Sequence, residues 1–143
     1  MTYFKAASAL ALIMALAGCA GSASNSSAPV PPAGDTLASA CPEVMELMKQ
    51  GADGMEKADK DKKFSDPNYL DALASIVNRL DKIEVGIKAD DEAVLVQNLA
   101  NAFAKILEEQ SDDKAISQGT GKLAAAAVQE LSSACIDLVQ RQN

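Results

Sequence analysis

The chain of 143 residues contains no histidine and no tryptophan. Without histidine there is no His-based triad, and the commonest general base and the commonest metal ligand are both missing. Aromatic residues make up only 3% of the chain. That scarcity argues against stacking platforms for carbohydrate or single-stranded nucleic acid. Basic residues are also few, 13 against 20 acidic ones. All twenty acidic residues lie after residue 34 with twelve of the basic ones, so that part of the chain stands at −8. Nucleic-acid affinity comes largely from Lys and Arg neutralising phosphates, so no nucleic-acid partner is expected. The same charge is repelled by anionic lipid head groups. Period-two alternation of β-branched residues, the mark of strands, is absent, and no Gly-rich phosphate loop matches.

What is present first is an apolar amino-terminal stretch. Lys5 and the terminal amine form a small positive region, and Ala6 to Ala17 is an apolar run of twelve residues. That length suits a signal peptide and is short of the roughly 20 residues of a membrane span. The run closes on Leu16-Ala17-Gly18-Cys19. Ala17 and Gly18 carry no bulk to block a peptidase cleft that binds extended backbone.

These four residues resemble the lipobox of bacterial lipoproteins at every position. The resemblance covers about the first 19 residues and is silent on the rest. It implies cleavage before Cys19, with a diacylglyceryl group on the thiol and often an acyl chain on the new amine. Two or three chains make a physical anchor, because each buried methylene contributes about 0.8 kcal/mol and one chain holds only marginally. In the family's sorting rule, the residue after the cysteine matters. Ala20 in place of aspartate implies the outer membrane in a two-membrane host. In a single-membrane host it implies the outer face of the plasma membrane.

Residues 1–18 are thus expected to be a signal peptide, 19–34 a lipidated tether, and 35–143 one folded domain. The tether sequence from Ala20 to Gly34 is uncharged and rich in Ser, Pro and Ala, with little to bury. A flexible stretch of that length spans roughly 20 Å end to end, and more where proline stiffens it. The remainder is long enough for one core and too short for two.

Three cysteines are odd for an exported protein. With Cys19 assigned to lipid, Cys41 and Cys135 remain, and an oxidising compartment suggests that they pair. No thiolate nucleophile or zinc site is then left.

The domain reads as an all-α, antiparallel four-helix bundle. A first helix is expected from Leu37 to near Lys60, with Cys41, Val44, Met48, Ala52 and Met55 on one face. Gly51 and Gly54 open it to a break or kink. Met45, Met48 and Met55 read first as core filling and second as an adaptable apolar groove. Asp59 and Asp61 are spaced as at the start of a calcium loop, but Phe64 and Leu70 stand where glycine and glutamate are needed. That stretch reads as a solvated helix end with an Asp59–Lys63 pair.

A second helix opens at Asp66-Pro67 and ends near Gly86, with Leu70, Leu73, Val77, Leu80 and Ile87 on its stripe, reinforced by Ile76 and Ile83. A third follows Asp90 as its cap, with Leu95, Leu99, Phe103 and Ile106 facing inward and Val96 flanking. The last runs from about Lys122 to Gln140 after a cap at Thr120, with Ala124, Val128, Leu131, Cys135 and Leu138 inward. In an up-down-up-down bundle the start of the first helix and the end of the fourth share one end. That places Cys41 near Cys135, beside the tether.

Carboxylates are plentiful, but most fall on outward faces or caps, and a small bundle leaves little room for a catalytic cleft. No enzyme activity, metal or cofactor is expected. Three functions stay open. The first is a non-catalytic module that contacts an envelope protein; prophage lipoproteins that block injection by a second phage share this layout without a motif match. The second is a carrier of an apolar ligand or lipid, and the third a structural envelope lipoprotein.

Overall fold

In a computed structural model of the protein, residues 35–141 are described, and they form four α-helices in a bundle with no strand among them. They are α1 (Leu37–Asp61), α2 (Pro67–Gly86), α3 (Asp90–Ser111) and α4 (Gln118–Arg141).

Long-range pairs set the direction of each helix. At one end, Lys88 N–H donates to the Asp35 carbonyl at 3.1 Å, and Leu37 N–H donates to Glu92 Oε2 at 2.8 Å. Cys135 of α4 meets Cys41 of α1 at the same end. The α1 amino terminus therefore sits with the end of α2, the start of α3 and the end of α4. At the opposite end, Ser65 donates to Asp113 across the two connections at 3.0 Å. The topology is up-down-up-down. Neighbours in sequence pack together, α4 closes the ring against α1, and α1 also touches α3 across the middle.

The core follows the predicted stripes with small rotations. In α2 the buried row is Leu73, Ile76, Leu80 and Ile83, continued by Ile87 just past the helix. Leu70 and Val77 are only partly buried. In α3, Val96 is fully buried and Leu95 packs at the margin. In α4, Ala124, Ala127, Val128, Leu131 and Cys135 are buried, and Leu138 is at the edge. Met48 and Met55 are buried and Met45 packs against them, so these side chains fill the core.

Three local expectations are corrected. The first helix does not break at its glycines: α1 is continuous, and Gly51 takes the inward position expected of Ala52. A β-carbon on Gly51 would lie 2.8 Å from Phe103 Cζ, so the glycine lets α1 and the Phe103 ring of α3 approach closely. Asp59 pairs with Lys62 at 2.8 Å and not with Lys63. The reason is that the helix ends in a left-handed residue, Lys62 with φ 53°, and the chain turns away before Lys63. Finally, the caps of α3 and α4 shift. Asp90 is the first residue of α3, after Ala89, which offers no capping side chain; Asp90, Asp91 and Glu92 occupy the first turn, where negative charge suits the dipole. Thr120 lies inside α4, and Ser117 supplies the cap: its hydroxyl accepts from Thr120 N–H at 3.2 Å and its carbonyl from Gly121 N–H at 2.9 Å. Asp66 caps α2 as expected, accepting from Asn68 and Tyr69 N–H.

Candidate functional site

Of the residues singled out in the sequence, Cys19 lies outside the described part of the chain. Cys41 and Cys135 are joined, with S–S at 2.07 Å and Cα atoms 5.6 Å apart. Both are buried, at 2% and 3% exposure, within the hydrophobic core. A paired, buried sulfur is neither a nucleophile nor a metal ligand. Among the described residues no group of three or more Cys, Asp or Glu side chains is placed to hold a metal. None of the described helices is long and apolar enough to cross a membrane.

Two open grooves run along the surface. The larger, about 730 Å³, lies between α1 and α2 over Leu47, Ala72 and Ile76, with Gln50, Asp71, Asn78, Arg79 and Lys82 around it. Arg79 Nε donates to Glu43 Oε1 across this helix pair, while Glu43 Oε2 is buried with no partner. That hydrogen bond, and then the Glu43 charge, hold the Arg79 guanidinium further toward its charged form. With Lys82 and Asp71 beside them the groove is close to neutral, so it selects no ligand by charge. The smaller groove, about 360 Å³, lies between α3 and α4 over Ala102, Ala126 and Ala127, bordered by Asn98, Asn101, Lys105, Leu123 and Glu130. Both grooves are open to solvent and polar at the rim, unlike the enclosed apolar cavity that a lipid carrier needs.

A polar cluster holds the end away from the disulfide. Glu109 of α3 accepts from the Ser117 backbone N–H at 2.7 Å, from the Ser117 hydroxyl at 2.7 Å and from the Thr120 hydroxyl at 2.6 Å. Burial pushes this carboxyl up, but the Thr120 and Ser117 donors, with the Lys105 charge, outweigh it and hold Glu109 below the usual carboxylate range. At the next residue of α3, Gln110 Oε1 accepts from the Tyr69 hydroxyl, and burial pushes the phenol up to about 12. Gln110 is 1% exposed and Thr120 is 4% exposed. Neither was visible as an inward residue, because each is polar and lies at a helix end where the apolar period has stopped. These groups are consumed by one another and tie α3 to α4 and α2.

Among the described residues, four of the five large exposed aliphatic side chains share the disulfide end: Val85, Val94, Ile136 and Val139. Val85 closes α2, Val94 is in the second turn of α3, and Ile136 and Val139 are in the last turns of α4. The fifth, Leu123, is at the far end.

The chain matches no family model, no curated protein and no solved structure with which it was compared.

Proposed function

We propose that the protein is an exported, lipid-anchored module that presents a small acidic helical bundle to another protein of the cell envelope. It is anchored through Cys19 and carries no catalytic activity, with its seat in the outer membrane of a two-membrane host or on the outer face of a plasma membrane. The observation that carries this reading is the cysteine inventory. Of the three cysteines, two meet in the buried pair of Cys41 and Cys135. The third, Cys19, stands in Leu-Ala-Gly-Cys after an apolar run of signal-peptide length.

An interaction module is favoured over a carrier because the helices close on a continuous core, with Gly51 packed onto Phe103 rather than acting as a hinge. Membrane fractionation tests the anchor. Cys19→Ser should move the protein to the soluble fraction with its fold intact, and mass spectrometry of the native protein should find Cys19 as an acylated first residue. A Cys19→Ser protein that stays with the membrane refutes the anchor. Cross-linking of the native chain in envelope preparations should give a discrete adduct with a second protein. Its absence, with altered envelope integrity on deletion, would favour a structural role.

A further inference from the structure

The bundle is lopsided in its exposed aliphatic residues, and the lopsidedness coincides with where the chain enters. Val85 is 82% exposed, Ile136 52% and Val94 48%, and all three lie within about a turn and a half of the helix ends that form the rim where Asp35 leads into α1. We infer that this rim rests on the bilayer surface, so that the bundle stands on its disulfide end with α1 running away from the membrane. The inference depends on the proposed anchor at Cys19. Fifteen residues then separate Cys19 from Asp35. This end of the bundle is therefore the one nearest the lipid along the chain. The opposite end lies a further helix length away, about 30 Å for twenty residues.

The rim's charges specify the lipid. Asp35, Glu84, Asp90, Asp91, Glu92 and Asp137 lie at this end, against Lys82, Lys88 and Arg141. Lys88 pairs with Asp35, and Glu92 accepts from Leu37 N–H, but the remainder leaves the end acidic. Contact with lipid must come from the aliphatic side chains, against repulsion from any anionic head group. A zwitterionic surface fits; a strongly anionic one does not.

The absence of tryptophan gives a clean reporter. Lipidated full-length protein carrying Val85→Trp is reconstituted into phosphatidylcholine vesicles with brominated acyl chains, and Leu123→Trp serves as the far-end comparison. Flotation with the vesicles reads the anchor separately from the rim. The expected result is that both variants float, Val85→Trp emission shifts to the blue and is quenched, and Leu123→Trp is unchanged. Adding Val94→Asp and Ile136→Asp to Val85→Trp should abolish the quenching while flotation persists. Replacing part of the lipid with phosphatidylglycerol at low salt should weaken it, and added salt should restore it. Floating protein with an unquenched Val85→Trp overturns the inference and leaves the anchor standing. Failure to float removes the anchor and the inference with it. A blue shift that depends on protein concentration, without quenching by brominated lipid, assigns the rim to a second copy and also overturns it.

Discussion

Gly51→Ala and Gly54→Ala look alike in the sequence and should have opposite effects. Both glycines sit inside α1, where alanine is favoured over glycine by about 1 kcal/mol from helix propensity alone. At Gly54 the added β-carbon would meet Tyr69 Cε2 at 3.4 Å, an ordinary contact. The propensity gain should survive there, so Gly54→Ala is expected to stabilise the bundle by about 0.5–1 kcal/mol. At Gly51 the β-carbon would lie 2.8 Å from Phe103 Cζ and 3.1 Å from Cε1. Phe103 is 2% exposed, so its ring has no solvent to move into. Either the ring or α1 must shift, and overpacking of that kind costs about 1–3 kcal/mol. Against the propensity gain, Gly51→Ala should be net destabilising by about 1 kcal/mol.

Urea titration of the oxidised protein followed by helical circular dichroism reads both changes. In a domain of this size 1 kcal/mol also moves the thermal midpoint by about 4–8 °C. The decisive comparison is the double variant. Phe103→Leu removes Cζ, so it should cost less in a Gly51→Ala background than in the native one, a coupling of opposite sign to the single effects. If Gly51→Ala proves as stable as Gly54→Ala, or if the two substitutions are additive, the close approach of α1 to Phe103 is wrong.

The polar far end makes two predictions with defined pH windows. The Glu109 carboxyl is depressed on folding, so it contributes stability that is present above its ordinary value of 4.5 and is lost as pH falls through the folded value. Glu109→Gln should flatten that acid limb in urea titrations run from neutral to acid pH; an unchanged limb would show that the Ser117 and Thr120 donors do not hold the carboxylate. Tyr69 is raised from 10.0 to about 12, so its protonated form is favoured by folding, and the stability is lost as pH rises from the unfolded value through the folded one. Tyr69→Phe should remove this alkaline loss and cost about 1 kcal/mol at neutral pH, read from the urea midpoint. Reduction of Cys41–Cys135 releases a cross-link spanning 94 residues, which the chain-entropy estimate puts at about 4–5 kcal/mol. A reductant that leaves the midpoint in place would refute a structural role for the pair.

The four helices were legible because each carries an apolar period of about 3.6 residues over about three to five turns. Their order and short connections then imposed the antiparallel arrangement. The breaks were less legible, for a common reason. Gly51 reads as a weak point from propensity alone, yet its lack of a β-carbon is what lets Phe103 dock, a fact of a residue 52 positions away. Thr120 and Asp90 have the chemistry of caps, but each lies one or more positions inside its helix, because Ser117 and Ala89 have the extended or turning backbone that a cap requires. Glu92 and Glu109 look like solvated carboxylates in a chain full of them. Only the fold shows that Glu92 satisfies the first amide of α1, and Glu109 the amide just before α4. Cys41 and Cys135 were legible as a pair because arithmetic, face and topology bear on the same two residues.

The helices do not contribute equally to this bundle. The α2–α3 and α3–α4 interfaces are the most extensive, and α1 packs more thinly against its neighbours. Two glycines and Pro42, the sixth residue of the helix and past its first turn, weaken α1 further as an autonomous helix. The ties at its ends offset this. Its amino-terminal end is fixed three ways, by the bond to Cys135, by the Leu37–Glu92 hydrogen bond and by the Lys88 contacts to Asp35. Its carboxyl-terminal end is held by the burial of Met55 and Ala58 and by the connection to α2, in which Ser65 donates to Asp113. The disulfide therefore couples the start of α1 directly to the end of α4.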